Sequence, residues 1–254
     1  MPPSAISAAS LGQRRRIGDD LVAVKVLAIL ALGLLSSCAA THVTTQPIPA
    51  SQYEVRTIEG WTVHVNRILL REQAPVGADA LKVLAGKLYD ITRVVPERRC
   101  AELKKVPIWL GVDDGPNDRA QYHPSPDWLK KHGFNPEKAK AVEIGNAARF
   151  VQTAIDQPSM VLHELAHAYH DQVLRFDHPG IRKAYDDAKA SGAYESVLRI
   201  SGAKERHYAL TDPQEYFAEG TEAFFGTNDF YPFVRAELRR HDPGLYKLLE
   251  EIWR

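Results

Sequence analysis

Apolar and polar positions alternate in the first part of the chain that has a globular pattern. Residues 53–58 and 61–69 alternate with period two on either side of the Glu-Gly pair at 59–60. This pattern predicts a β-hairpin, because successive side chains of a strand point to opposite faces. Apolar residues then recur at helical spacing over residues 78–94, which predicts a helix. Residues 106–112 are a short β-rich run and predict another strand.

The middle of the chain has a less regular pattern. Residues 113–139 are rich in proline and aspartate and predict loops, with a short helix at residues 127–132. Residues 141–145 predict an edge strand, continued by residues 147–151. An edge strand can pair with an extended peptide substrate, although an ordinary sheet strand explains the same pattern.

Helical periodicity dominates the chain after Pro158. The predicted helices span residues 158–175, 179–190, 212–226, 233–240 and 243–253. The last begins at Asp242-Pro243, where an N-cap residue precedes a proline at the first helical position. A small sheet followed by a helical half predicts an α+β fold. Since no linker separates the halves, residues 51–254 are predicted to form one domain.

The N-terminal segment has the pattern of a targeting signal. An uncharged apolar run at residues 26–35 follows four basic residues; it is too short to span a bilayer but fits a signal peptide. It ends in the tetrapeptide Leu-Ser-Ser-Cys at 35–38, which resembles the bacterial lipobox. That resemblance implies a lipoprotein signal peptide at residues 1–37 and lipidation of Cys38. An ordinary signal peptide cut near residues 39–40 and a buried helix are the alternatives.

Two further predictions follow from this signal. Residues 38–50 contain two prolines and no apolar periodicity, so they are predicted to tether the lipid to the folded domain. If Cys38 is acylated, Cys100 is the remaining thiol and is predicted to be a buried structural residue. Translation from Val24 would give a cleaner signal, because it removes the acidic pair at 19–20.

Composition excludes several classes of protein. The chain has 254 residues, of which 44% are hydrophobic and 25% are charged, as in ordinary globular proteins. It carries 32 basic and 32 acidic residues, so it lacks the positive charge of a nucleic-acid binder. Two cysteines cannot form a disulfide framework or a cysteine-rich zinc module.

The clearest chemical signal is an H-E-x-x-H motif at His163, Glu164 and His167. Four residues are just over one helical turn, so the two histidines share a face and can bind one metal ion. Glu164 lies beside them as a candidate general base toward a zinc-activated water. The alternative is a helix whose two histidines are buried in the core and hydrogen-bonded there. A third metal ligand elsewhere in the chain would distinguish a metal site from this alternative.

Glutamates on a later helix can supply that third ligand. A metzincin is excluded, because position 170 is histidine instead of glycine and position 173 is valine. The predicted helix at 212–226 carries Glu215, Glu219 and Glu222 on one stripe, bordered by phenylalanines. Aromatic neighbours indicate burial, and buried carboxylates need a metal or a hydrogen-bonded partner. A solvated surface stripe is the alternative.

The combined pattern resembles the gluzincin peptidases, most closely the anthrax-lethal-factor-like group. The resemblance covers H-E-L-A-H, the later Glu-Tyr-Phe-Ala-Glu at 215–219 and Tyr208, seven residues before Glu215. It implies a zincin-like domain with one Zn²⁺ bound by His163, His167 and Glu215. It also implies that Glu164 is the general base and that Tyr208 donates a hydrogen bond to the oxyanion. Glu219 would orient a ligand imidazole.

Several residues keep alternative interpretations. Glu219 is the alternative third ligand, and His207 is the alternative to Tyr208. His170 either lines the cleft or is an ordinary helix histidine. Tyr122, His123 and Trp128 have either cleft roles or turn and core roles.

The sequence thus predicts a lipid-anchored zinc metallopeptidase of the bacterial cell envelope, at the outer membrane or in the periplasm if the cell has two membranes. Its predicted partners are a peptide or protein substrate and, through the lipid, a membrane; nucleic acid is not among them. The alternatives are a non-catalytic zinc-containing envelope lipoprotein and an amide hydrolase that acts on peptidoglycan.

Overall fold

The computed structural model describes residues 47–113 and 119–254. The predicted signal peptide, Cys38 and most of the predicted tether lie outside the described residues. The described residues combine a five-stranded mixed sheet with helices, mostly in the second half of the chain. The α+β prediction is therefore confirmed at the level of fold class. None of the helices in the described ranges is long and apolar enough to cross a membrane.

The sheet has the strand order β1-β2-β3-β5-β4. The predicted hairpin forms, with Glu59 and Gly60 at positive φ angles of 49° and 91° in its turn, where glycine is the least strained residue. β2 pairs parallel with β3, β3 parallel with β5, and β4 antiparallel with β5. The strands span Tyr53–Ile58 (β1), Trp61–Asn66 (β2), Ile108–Leu110 (β3), Ala120–Tyr122 (β4) and Val142–Ile144 (β5).

Two boundaries in the sheet differ from prediction. β2 ends at Asn66 instead of residue 69, because the Asn66 side chain accepts a hydrogen bond from Ile68 N–H and starts a 3-10 turn at Arg67–Leu70. The predicted continuation of β5 at 147–151 is wrong. Those residues begin helix α4 (Ala147–Thr153), because the Asn146 side chain caps it by accepting from the Arg149 N–H.

The prediction that residues 141–145 form an edge strand is also wrong. β5 lies between β3 and β4 and pairs with both. The edge strand at this end of the sheet is β4, a three-residue strand inside the segment that is predicted to form loops. β4 pairs with β5 on one side only, and its other side borders the cleft that is described below.

The helices largely follow the predicted pattern. α1 begins earlier than predicted because Pro75 stands in its first turn, and α2 was not predicted. α5 ends at Tyr169 and continues as a π-helical turn, His170–Leu174. A small hairpin, β6 (Val197–Leu198) and β7 (Lys204–Glu205), precedes α7. Apart from α4, whose range is given above, the α-helices span Ala74–Val94 (α1), Glu97–Leu103 (α2), Pro126–Lys131 (α3), Met160–Tyr169 (α5), Pro179–Ser191 (α6), Pro213–Phe225 (α7), Arg235–His241 (α8) and Pro243–Trp253 (α9).

The core positions α5 between the sheet and α7. α5 contacts β4 and β5 on one side and α7 on the other. Leu165 of α5, Ile144 of β5 and Phe217 of α7 belong to one buried cluster, and burial of such side chains contributes about 1.5–3 kcal/mol each. Cys100 is buried in the same cluster as a free thiol, and burial raises its pKa.

Candidate metal centre

Helices α5 and α7 lie side by side in opposite directions. At one end, Ser159 Oγ donates to the Thr227 carbonyl at 2.9 Å and accepts from the Thr227 N–H at 3.1 Å. Ser159 precedes α5 and Thr227 follows α7. This places the start of α5 against the end of α7, so that the two helices present their polar side chains to each other.

α7 begins at a well-formed cap. Asp212 Oδ1 accepts hydrogen bonds from the main-chain N–H groups of Gln214 and Glu215, both at 2.9 Å, and Pro213 occupies the first turn. The cap fixes Glu215 in that first turn, next to the later part of α5. Glu219 and Glu222 follow along the same stripe, and each is only 4% exposed. The stripe is therefore buried, not a solvated surface.

The structure brings His163, His167 and Glu215 together. His163 Nε2 lies 3.0 Å from His167 Nε2 and 3.0 Å from Glu215 Oε2, and His167 Nε2 lies 3.3 Å from the same oxygen. Ligands about 2.0–2.1 Å from a tetrahedral zinc ion lie about 3.3 Å apart. The three donor atoms, two imidazoles and one carboxylate, thus fit a zinc ion in both chemistry and spacing.

The other nitrogen of His163 faces two carboxylates. Glu222 Oε1 lies 2.7 Å from His163 Nδ1, whereas Glu219 Oε1 lies 3.7 Å from it. Hydrogen bonding to Nδ1, the role that we expected of Glu219, therefore falls to Glu222. The physical reason is the antiparallel crossing of the helices, which sets Glu222 rather than Glu219 opposite His163. Burial alone would lower the pKa of His163, but Glu215 and Glu222 raise it well above its usual value.

Glu219 has a separate partner. Asn228 Nδ2 donates to Glu219 Oε2 and to the Glu219 carbonyl, both at 2.8 Å. Burial, and then the charge of Glu222, raise the pKa of the Glu219 carboxyl well above its usual range. Burial likewise raises the pKa of Glu222. His163, Glu219 and Glu222 also lie close enough to hold a cation, but through the Nδ1 side of His163, away from His167.

Glu164 is held by the edge strand. Its Oε2 accepts a hydrogen bond from the Tyr122 main-chain N–H at 2.7 Å, and the residue is buried. Burial raises the pKa of Glu164, although the two motif histidines oppose the shift. The Tyr122 side chain points elsewhere and donates its hydroxyl proton to Asp171 Oδ2 at 2.6 Å.

Tyr208 stands at the mouth of the centre. It lies in a 3-10 turn, Tyr208–Leu210, and the residue is 48% exposed. Its hydroxyl donates to Glu215 Oε1 at 3.3 Å. Burial, and then the charge of Glu215, raise the pKa of Tyr208 to about 12, so the hydroxyl stays protonated at neutral pH and can act as a donor.

The remaining histidine candidates lie outside the centre. His207 is buried, stacks on Phe230 and accepts the Ala209 N–H at Nδ1; burial lowers its pKa to about 3. His170 is fully buried against Phe176 and Phe217. Neither residue lines the cleft.

A cleft of about 600 Å³ opens over the donor atoms. Residues of β4 and of the motif helix α5 line this cleft, together with Arg206 and Tyr208. A second cavity of about 230 Å³ adjoins it at the start of β4. The sequence offers Tyr122 for a cleft role but does not predict strand β4, and it places Glu222 on the acidic stripe of α7 without assigning it a separate role. Asn228 was missed altogether.

Comparisons of the chain with models of known protein families, with characterised proteins and with solved structures found no match. The resemblance to gluzincins therefore rests on the motif residues, and a functional interpretation rests on them and on the geometry above.

Proposed function

We propose that the protein is a zinc-dependent metallopeptidase with a zincin-like catalytic domain. The observation that carries this proposal is the convergence of His163 Nε2, His167 Nε2 and Glu215 Oε2 at 3.0–3.3 Å from one another. These three ligands would hold one Zn²⁺ per chain and leave a coordination position toward the cleft. When bound, the ion would supply Lewis acidity, which polarises a carbonyl group and lowers the pKa of water.

Glu164 would move the proton in the reaction. Its carboxylate would accept a proton from the attacking water at one oxygen and later donate it to the nitrogen of the leaving amine. Two features support this role: the Tyr122 N–H donates to Oε2 at 2.7 Å, and burial raises the pKa of the carboxyl above its usual value. The general base works best when its pKa lies near the working pH.

Tyr208 would stabilise negative charge that develops on the substrate oxygen. Its hydroxyl lies next to Glu215, stays protonated at neutral pH because its pKa is about 12, and is partly open to the cleft. A donor placed in advance at that position stabilises the transition state more than the ground state.

The free side of β4 would bind the peptide main chain. The main-chain carbonyl of Arg119 and the main-chain N–H of His123 form hydrogen bonds with residues at the two ends of β5. The Tyr122 N–H points the other way, to Glu164. By strand alternation the N–H and C=O groups of Ala120 face the cleft as well. An extended peptide can add to such an edge through main-chain hydrogen bonds. This assigns to β4 the role that the sequence pattern suggested for residues 141–145.

The N-terminal pattern supports a location in the bacterial cell envelope. We propose that Cys38 is lipidated and that residues 38–50 tether the domain to the membrane, facing away from the cytoplasm. In a cell with two membranes the anchored protein would lie at the outer membrane or in the periplasm.

The deciding experiment is digestion of a proteome-derived peptide library by the zinc-loaded protein, beside the Glu164→Gln variant. We expect cuts with the wild type and a loss of about 10²–10⁴-fold in the variant, with one equivalent of zinc retained. His163→Ala should lose both zinc and turnover. Zinc without any Glu164-dependent cleavage would instead favour a non-catalytic envelope lipoprotein. Release of fragments from peptidoglycan alone would favour a wall amide hydrolase.

A further inference from the structure

Tyr122 is held at two points by one helical run. Its main-chain N–H donates to Glu164 Oε2 at 2.7 Å, and its hydroxyl donates to Asp171 Oδ2 at 2.6 Å. Glu164 lies on α5, and Asp171 lies in the π-helical turn that directly continues α5. The two carboxylates are seven residues apart, which is close to two helical turns, so both reach the same strand.

The π-helical turn makes further contacts around the same hydroxyl. Gln172 Nε2 donates to the Tyr122 hydroxyl at 3.1 Å and to the Lys140 carbonyl at 3.3 Å. Lys140 Nζ donates to Asp171 Oδ2 at 2.5 Å, and the Lys140 N–H donates to the His123 carbonyl at 2.6 Å. These contacts tie the end of β4, and the residues that precede β5, to the turn.

The hydrogen bond between Tyr122 and Asp171 is shielded from water. Tyr122 is buried, and the Asp171 side chain is only 15% exposed. Burial, and then the hydrogen bond to Asp171, raise the pKa of the Tyr122 hydroxyl, so the hydroxyl stays protonated and can donate. A hydrogen bond to an ionised acceptor is shorter and stronger than one between neutral groups. The contact therefore fixes the tyrosine ring against the turn.

β4 depends on such an anchor because its own main-chain pairing is limited. Within the described residues it is a strand of three residues that pairs with β5. Two parts of the proposed mechanism depend on its position: the Tyr122 N–H holds Glu164, and the outward main-chain groups of Ala120 and Tyr122 would pair with the peptide. A shift of β4 relative to α5 would move both. A misplacement of about 1 Å can cost about a hundredfold in rate.

We propose that Asp171 is a positioning residue, which holds β4 against α5 through the Tyr122 hydroxyl and so keeps Glu164 and the peptide-binding edge in register. Asp171 does not line the cleft, so it reaches the reacting centre through Tyr122. The effect on turnover rests on the proposed peptidase function, whereas the anchoring of β4 is measurable without it.

The first test removes the hydrogen bond from either end. Tyr122→Phe removes the hydroxyl and keeps the charge of Asp171, whereas Asp171→Asn keeps the shape and removes the charge. Each zinc-loaded variant should lose about 10–100-fold in kcat, with its zinc content unchanged. Because both substitutions break one contact, the double variant should be no slower than the slower single variant. Losses that multiply would show two independent effects and would overturn the proposal.

Tyr194→Phe is the matched control. Tyr194 is a buried tyrosine whose hydroxyl donates to Asp242 Oδ2 at 3.1 Å, and it lies outside the cleft lining. Its substitution should cost comparable stability and leave kcat unchanged. Rates measured well below the melting temperature of each variant exclude losses that come from unfolding. An equal loss of kcat in Tyr194→Phe and Tyr122→Phe would show a merely structural role and would overturn the proposal.

Amide hydrogen exchange tests the anchoring without any substrate. NMR of the zinc-loaded protein follows the main-chain amide at position 122, with the amides of α9 as the internal reference. We expect its exchange to become about tenfold faster in Tyr122→Phe and in Asp171→Asn, and unchanged exchange would overturn the proposal. Faster exchange together with a wild type that cuts no peptide would uphold the anchoring and reject the peptidase. Full kcat in both variants would reject the positioning role and leave the peptidase proposal standing.

Discussion

His163 Nδ1 lies 2.7 Å from Glu222 Oε1, a full ångström closer than the 3.7 Å that separates it from Glu219 Oε1. Because Nδ1 meets Glu222, Nε2 is the nitrogen that faces His167 and Glu215 and that would bind the ion. Carboxylates in this position fix the tautomer and the ring orientation of a metal ligand and increase its basicity.

We therefore expect Glu222→Gln to weaken zinc binding by about 10–100-fold, the usual cost of altering such a partner. Glutamine keeps the shape and one acceptor oxygen but removes the negative charge. Zinc affinity is measured by competition with a chromophoric chelator. Glu219→Gln is the matched control and should change the affinity less, because Asn228 already binds that carboxylate at 2.8 Å. A larger effect at Glu219 would reverse the assignment.

The third ligand can be identified from zinc stoichiometry. Glu215→Ala removes the oxygen that lies 3.0 and 3.3 Å from the two imidazoles, so we expect less than one equivalent of zinc after gel filtration. Glu219→Ala should retain zinc, since its carboxylate lies on the Nδ1 side of His163. Full zinc in the Glu215 variant and none in the Glu219 variant would make Glu219 the ligand.

Tyr208→Phe tests the oxyanion donor. Loss of one such donor costs about 10²–10³-fold in kcat, and we expect zinc content and KM to stay nearly constant because the aromatic ring is kept. The measurement is steady-state cleavage of a single peptide together with metal analysis. His207→Gln provides the comparison at the neighbouring residue, which lies outside the cleft lining. A kcat loss in that variant equal to the Tyr208→Phe loss would argue against a specific role for the tyrosine.

The parts of the site that could be predicted are those that local geometry fixes. His163 and His167 share a face because helix geometry places residues four apart on one side. The start of α7 was readable from Asp212-Pro213, a cap followed by proline. These signals depend on a few neighbouring residues, so no knowledge of the tertiary structure is needed.

The parts that were missed depend on contacts between distant segments. Glu222 and Glu219 lie on the same stripe, and only the antiparallel crossing of α5 and α7 decides which of them meets His163. β4 has three residues in an irregular segment, which are too few to show the alternation of apolar and polar residues that marks a strand. Its strand conformation depends on pairing with β5. The start of α4 does have a local signal in the sequence: Asn146 before an alanine pair is an N-cap pattern.

The proposed lipidation is tested at Cys38, the last residue of the tetrapeptide that resembles a lipobox. Wild-type protein expressed in a bacterium should incorporate a labelled fatty acid, because the tetrapeptide at 35–38 ends in Cys38. Cys38→Ser should lose the label. Cys100→Ser should keep it, since Cys100 is buried in the core. Label that persists in Cys38→Ser would exclude the anchor.

The stability of the fold at acidic pH should depend on a network of buried charged side chains next to the edge strand β4. Glu143 accepts a hydrogen bond from Lys138 Nζ and lies 2.6 Å from His123 Nε2, and all three residues are only 1% exposed. Burial alone would raise the pKa of Glu143, but His123 and Lys138 lower it below its usual value of 4.5. A folded-state pKa below the unfolded one means that this stabilisation is present above about pH 4.5 and is lost as the pH falls through the folded value.

Glu143→Gln should therefore reduce the free energy of unfolding by about 3–5 kcal/mol at pH 7, because it removes the carboxylate that compensates the buried Lys138 charge. The difference from wild type should shrink as the pH falls below about 4.5 and then through the lowered folded-state pKa, where the wild-type carboxylate itself becomes protonated. Urea unfolding at pH 7, 5 and 3.5 measures this trend, with the exposed Glu251→Gln as the control. A difference that stays constant across this range would show that the Glu143 charge does not stabilise the fold.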